Sequence, residues 1–230
     1  MQQIKGVGVS AGRSVGPLVR MPDPISEPAE GSPLDEADRE AAASAIGDAA
    51  ASVKADLQAR AASASAEGKA LLEATAMMAA DPTLVNAAKK KVTSNGTAAP
   101  RAVWDAADEV AAMLESLGGY MAERARDVQD VRDRIVAELT GRPAPGVPVR
   151  DEPFVLAAVD LAPADTATLN PEACVGLVTA QGGPTSHTAI LAKALGLPAV
   201  VAAPGVLDIA EGTVVLVDGS GGTVGLNPDE

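Results

Sequence analysis

Between residues 33 and 143 apolar positions recur every three or four residues, and alanine fills much of the space between them. That period predicts packed helices. Ser32-Pro33-Leu34-Asp35 offers a capping serine, a proline at the first helical position and an acid three residues after the serine. A helix is expected to start there, with Ile46, Ala49, Val53 and Leu57 on one face. Gly68 is expected to interrupt it before a second helix carrying Leu71, Leu72, Met77 and Met78. Asp81-Pro82 opens a third, with Leu84, Val85, Ala88 and Val92 on one face and Lys89, Lys90 and Lys91 towards its end, where cations offset the helix dipole. Asn95-Gly96-Thr97 should end that helix and cap a fourth, carrying Val103, Ala107, Val110, Leu114 and Leu117. Gly118-Gly119 separates it from a fifth, with Met121, Ala125, Val128, Val131, Ile135 and Leu139, closed by Gly141 and Pro143. Long helices joined by short turns predict an antiparallel bundle.

The flanking segments change period. Residues 4–9, 15–19, 154–159, 175–179, 198–201, 213–217 and 223–226 are apolar or β-branched runs bounded by Gly, Pro and Asp, the pattern of strands. Short helices are expected at 163–169 and 187–195. Strands alternating with helices point to an α/β layer. The expected architecture is an α/β domain built from residues 1–20 plus 144–230, an all-α bundle inserted at 33–143, and a Pro- and Glu-bearing connector at 21–32.

Composition narrows the function. Across 230 residues the formal net charge is −13, and Trp104, Tyr120 and Phe154 are the only aromatics. Without a basic excess or a stacking platform, nucleic acid is not an expected partner. No apolar run approaches the roughly 18 residues of a membrane span, and Met1 leads into a polar, glycine-bearing segment rather than a signal peptide. Cys174 is the only cysteine, so no intrachain disulfide forms and the cytoplasm is the expected compartment. One Cys and one His also exclude a zinc cage of those ligands.

Chemistry concentrates at Gln181-Gly182-Gly183-Pro184-Thr185-Ser186-His187-Thr188-Ala189-Ile190. A strand runs into a glycine bend, Thr185 or Ser186 caps a short helix, and Gly196 with Pro198 ends it. The only histidine of the chain thus falls in the first turn of that helix. Free backbone N–H groups and the positive dipole end favour an anion there, with Thr185, Ser186 and Thr188 as added hydroxyl donors. The same field favours an imidazole whose lone pair is available, suited to accepting a phosphoryl group. A capping or surface histidine is the competing reading. No Gly-Lys-Ser/Thr follows the glycines, so the segment is not a P-loop. Gly6-Val7-Gly8-Val9-Ser10-Ala11-Gly12 has the wrong spacing for a dinucleotide fingerprint and continues as strand.

The stretch Gly182 to Lys193, followed by Leu197-Pro198-Ala199-Val200-Val201, resembles the phosphohistidine segment of enzyme I of the sugar phosphotransferase system (phosphoenolpyruvate–protein phosphotransferase). Ala158-Val159-Asp160-Leu161-Ala162-Pro163-Ala164-Asp165-Thr166 resembles that family's segment before the active site. Tyr120-Met121-Ala122-Glu123-Arg124-Ala125-Arg126-Asp127-Val128 resembles its last bundle helix, and the opening glycines fit its first strands. The resemblance implies an α/β phosphohistidine (swivelling) domain with an inserted helical bundle. It implies that His187 is phosphorylated from phosphoenolpyruvate and passes the group to a histidine of the carrier protein HPr, with Thr166 orienting the ring. It places HPr on the bundle, at Met77, Met78, Leu84, Arg124 and Asp127. A Met pair beside a polar rim suits a surface that must repack, although ordinary core methionines would read the same. Thr75 and Pro184 stand where relatives often carry histidine and arginine.

The resemblance also implies a C-terminal domain that binds phosphoenolpyruvate and Mg²⁺ and forms the dimer contact, for which residues 1–230 contain no counterpart. The chain is therefore expected to be the N-terminal half, without a cofactor of its own, largely monomeric, and able to exchange phosphoryl groups with phospho-HPr but not with phosphoenolpyruvate alone. Two alternatives stay open: the phosphohistidine domain of a pyruvate phosphate dikinase or phosphoenolpyruvate synthase, and a non-catalytic helical adaptor.

Overall fold

The computed structural model describes residues 3–63, 66–161 and 169–228. The helix expected at 163–169 falls almost wholly outside them, as does Thr166. The chain divides into two compact units, Met1–Pro22 with Gly146–Glu230, and Asp23–Pro145.

The second unit is helical: α1 (Glu36–Ser63), α2 (Ala66–Ala79), α3 (Pro82–Asn95), α4 (Ala99–Leu117) and α5 (Gly119–Thr140). Ile46, Leu57, Val92, Val103, Val131 and Ile135 are wholly buried in its core, and alanines fill the seams. Asp81 caps α3, accepting a 2.7 Å hydrogen bond from the Thr83 N–H, and Gly96 closes it in the left-handed region at φ 70°. Two starts differ from the sequence expectation. Helix α1 begins at Glu36. The Leu34 N–H donates to the Gly96 carbonyl at 2.7 Å, and the Leu34 carbonyl accepts from Arg39 Nε at 3.2 Å. The segment expected as first turn is thus engaged with the α3–α4 connection. Helix α4 is preceded by Ala98, without a side-chain cap, and Pro100 alone marks its first turn. Gly68 lies inside α2 and does not interrupt it. Trp104 on α4 lies under the guanidinium of Arg132 on α5, 3.5 Å from the ring centroid. Arg132 also bonds Asp108 at 2.7 Å and Asp133 at 2.9 Å, joining charge pairing to cation–π attraction between two packed helices.

The first unit contains β1 (Gln3–Lys5), β2 (Val7–Ser10), β3 (Arg13–Arg20), β4 (Phe154–Ala158), β5 (Cys174–Thr179), α6 (His187–Leu195), β6 (Ala199–Val201), a 3₁₀ turn at Val206–Asp208, β7 (Val214–Asp218) and β8 (Thr223–Leu226). The strand order is β1-β8-β7-β3-β4-β5-β6-β2. Strands β3, β4, β5 and β6 run parallel, flanked by antiparallel partners. Strand β4 is buried along its whole length, as a strand covered on both faces must be.

The run expected at 4–9 breaks at Gly6 into β1 and β2, which pair at opposite ends of the order. One short segment therefore joins both ends, and the sheet curls until they meet. Glycines make the approach possible. A Cβ on Gly8 would collide with the Gly219 carbonyl, a Cβ on Gly219 with that of Ser10, and the Gly6 N–H donates to the Gly222 carbonyl at 2.9 Å. The opening glycines are thus a close-packing device. Leu18, Val155, Val178, Val200, Val215, Val217 and Val224 form one core cluster, and Phe154, Leu156, Leu177, Ala189 and Ala192 belong to another, against α6.

Asp218 pins the β7–β8 turn. Its carboxylate accepts from the N–H of Gly221 at 2.7 Å, Arg13 Nε at 2.7 Å and the N–H of Ser220 at 3.1 Å. The Gly221 N–H, then Arg13, holds the carboxyl below the usual aspartate value. A depressed folded pKa contributes stability above the unfolded value, lost as pH falls through the folded one. Denaturant titrations should therefore show wild type ahead of Asp218→Asn by a constant margin at neutral pH. That margin should shrink as pH falls below the ordinary aspartate range; a gap unchanged down to strong acid contradicts this role.

Candidate active site

Strand β5 ends at Thr179, and the chain bends at Gly182, where φ is 97°. The Ser186 N–H donates to the Gly183 carbonyl at 3.0 Å, closing the bend. Ser186 is the N-cap of α6 in extended geometry, φ −65° and ψ 161°, and its Oγ accepts from the Ala189 N–H at 3.3 Å. His187 is therefore the first helical residue, and it is exposed. The leading N–H groups of a helix have no intrahelical acceptor, so the ring sits beside an end able to hold negative charge. Gly196, in the left-handed region at φ 66°, ends the helix. The Ser10 hydroxyl donates to the Ala192 carbonyl at 3.3 Å, tying α6 to β2.

The hydroxyls separate by role. Thr185 is exposed and Ser186 half-buried. Thr188 is fully buried, and its Oγ1 donates to Asp160 Oδ1 at 2.8 Å. The expectation that Thr188 donates towards a phosphate is therefore corrected: on the face of α6 that packs on the sheet, its proton is already committed. Asp160 is the residue the sequence reading passed over. Its Oδ1 also accepts from the Leu161 N–H at 2.9 Å, and a Cβ added to Gly182 would lie 3.5 Å from that same oxygen. In the sequence it is an acid just beyond an apolar strand, within the stretch that resembles the family's segment before the active site. The ends of β4 and β5 thus meet the start of α6, and β6 joins through the Ala202 N–H, which donates to the Gln181 carbonyl at 3.3 Å. This is the carboxyl edge of parallel strands, where α/β sheets bind ligands. Ala202 occupies the left-handed region there, at φ 49°, a conformation that costs a non-glycine residue energy.

Cys174 is fully buried, and desolvation pushes its thiol up to about 11, which leaves it inert as a nucleophile. Among the described residues no group of three or more His, Cys, Asp or Glu side chains converges to hold a metal, and no step below is routed through one. No described helix is long and apolar enough to cross a membrane.

The expected partner residues lie on the bundle. Met77 is 69% exposed, while Met78 is partly buried against the core. Leu84 is 4% exposed and packs inside the bundle core, so its assignment to a docking face is corrected: its apolar stripe on α3 faces the other helices. Arg124 and Asp127 are half-exposed on α5, 3.9 Å apart. Leu71 on α2 and Met121 on α5 are also exposed, and α2 packs on α5.

Comparison with known proteins shows the family. A profile described as PEP-utilising enzyme, N-terminal, matches residues 5–124, and one described as PEP-utilising enzyme, mobile domain, matches 150–222. The chain belongs to the PEP-utilising enzymes. Within them it stands with enzyme I, the phosphoenolpyruvate-protein phosphotransferases. It is 51% identical over 228 residues to the phosphoenolpyruvate-protein phosphotransferase of Streptomyces coelicolor, covering 99% of this chain and 40% of that protein. The Bacillus subtilis protein of the same name is 35% identical over 236 residues, with the same shares covered. An NMR solution structure of an enzyme I protein superposes with a TM-score of 0.79 at 32% identity, covering 99% of this chain and 94% of that one. The chain thus spans about 40% of the length of the curated relatives it matches.

Proposed function

We propose that this chain relays phosphoryl groups and that His187 carries them. An unprotonated ring nitrogen of His187 attacks the phosphorus of the donor. A P–N bond forms as the bond from phosphorus to the donor's leaving group breaks. With phosphoenolpyruvate, bound by a region outside these residues, the leaving group is enolpyruvate, which takes up a proton to become pyruvate. In the second transfer a histidine nitrogen of HPr attacks the same phosphorus, and His187 leaves with its lone pair restored. Such transfers are governed by positioning and charge stabilisation. The leading N–H groups of α6 and the Thr185 and Ser186 hydroxyls provide the latter. Thr166 orients the unphosphorylated ring, as the family resemblance implies.

HPr docks on the bundle through Met77, Met78, Arg124 and Asp127. An exposed, unbranched thioether beside a charged pair is a surface that adapts to its partner. The relay works in the cytoplasm and serves sugar uptake.

One observation carries the reading: the only histidine of the chain is exposed at the first position of a capped helix, beside a glycine bend. The test is redistribution of label from radiolabelled phospho-HPr to this chain. The account predicts rapid equilibration between the two proteins, reversed by unlabelled HPr. Label that stays on HPr contradicts it.

A further inference from the structure

We propose that Asp160 is a positioning residue for phosphoryl transfer, acting through the hydroxyl of Thr188 to hold the first turn of α6 and so the ring of His187. The inference rests on the phosphohistidine reading above. Asp160 lies just beyond β4, and Thr188 follows His187 directly. Asp160 Oδ1 accepts from Thr188 Oγ1 at 2.8 Å and from the Leu161 N–H at 2.9 Å, and the Leu161 N–H also reaches Thr188 Oγ1 at 3.3 Å. The three groups form a closed triangle. Thr188 is fully buried, whereas Asp160 is exposed: the carboxylate reaches in from the surface to a hydroxyl packed against the sheet, and removing it breaks that tie between β4 and α6.

The lock has a second side. Among the described residues the other side-chain anchor at the start of α6 is the Ser186 cap, at 3.3 Å, which fixes the turn along the helix axis but not against β4. Asp160 supplies that cross-tie, and a hydrogen bond to a charged acceptor is the stronger kind. Gly182 lines the same corner: a Cβ there would stand 3.3 Å from Ser186 Oγ and 3.5 Å from Asp160 Oδ1, and its φ of 97° favours glycine. A carboxylate near the first turn is also favoured by the helix dipole. The histidine-bearing turn is thus held from one strand end by a side chain and from the next by the glycine bend.

The experiment compares wild type with Asp160→Ala, Thr188→Val, the double variant and Asp160→Asn, with phospho-HPr as donor and single-turnover transfer as readout. Asp160→Ala and Thr188→Val should each slow transfer by about tenfold to a hundredfold, the range for a displaced reacting group, at saturating donor and with little change in half-saturation. The double variant should be no slower than the worse single one, because both break the same tie. Asp160→Asn keeps an acceptor oxygen and should restore most of the rate. The His187 ring signals, unassignable to any other residue because the chain has one histidine, should shift or broaden in Asp160→Ala at temperatures where the protein stays folded, and return in Asp160→Asn. Full-speed transfer by folded Asp160→Ala overturns the inference, as does strict additivity in the double variant or a slow Asp160→Asn with unmoved ring signals. Absence of label on wild type itself instead overturns the phosphohistidine reading.

Discussion

Replacing His187 by alanine should abolish phosphoryl uptake, leaving no acid-labile, alkali-stable phosphate on the chain. Among the described residues around the site no other side chain stands ready to take over. Cys174 is buried with its thiol pushed up to about 11. The Ser186 hydroxyl caps α6, the carboxylate of Asp160 is engaged with Thr188 and the Leu161 N–H, and a hydroxyl needs a free base to act as nucleophile. The effect is therefore loss rather than slowing. The fold should be untouched, because His187 is exposed and the cap belongs to Ser186. Circular dichroism and thermal melts of His187→Ala should overlay those of wild type, while transfer from phospho-HPr falls to background. Retained uptake at even a tenth of the wild-type rate, a loss of only about 1.4 kcal/mol in barrier terms, would place the phosphate elsewhere.

Trp104→Ala should be the most costly substitution in the bundle. The side chain is 9% exposed, and truncating a buried tryptophan costs about 3–5 kcal/mol. The variant also strips Arg132 of the ring beneath it at 3.5 Å, leaving its ion pair with Asp108 as its charge contact from α5 to α4, since its pair with Asp133 lies within α5. The Asp133 pair, whose carboxyl burial raises above its usual value, stays within α5 and does not compensate for a lost contact to α4. Urea unfolding followed by circular dichroism should show the helical transition at markedly lower midpoint, before the α/β unit unfolds. Trp104→Phe, which keeps an aromatic face, should recover much of the loss. A bundle midpoint within error of wild type for Trp104→Ala would refute the stapling role given to this pair.

Helix ends signalled by proline and glycine were legible, because cap chemistry is local: Asp81-Pro82, Gly96, Gly141 and Gly196 sit where the sequence places them. The start of α1 was not. Its capping signature is genuine, but Leu34 bonds across to Gly96, a long-range contact that outcompetes a local one. The closed sheet was hidden for the same reason: the pairing of β1 with β8 and β2 with β6 joins residues about two hundred apart in sequence, and no local pattern encodes which edge a strand meets. The motif around His187 was legible because bend, cap and helix are consecutive. Asp160 and the inward turn of Thr188 were not, since their bond spans 28 positions. Leu84 shows the converse error. A residue carried over by resemblance to a docking face follows its own apolar stripe into the core.

The account stands or falls on where the phosphate goes. After mixing the chain with phospho-HPr, fragment mass spectrometry at alkaline pH should find one added phosphoryl group on the peptide containing His187, located on that residue and lost on acid treatment. An unmodified His187 peptide, or a phosphate that survives acid on a serine or threonine, would contradict it.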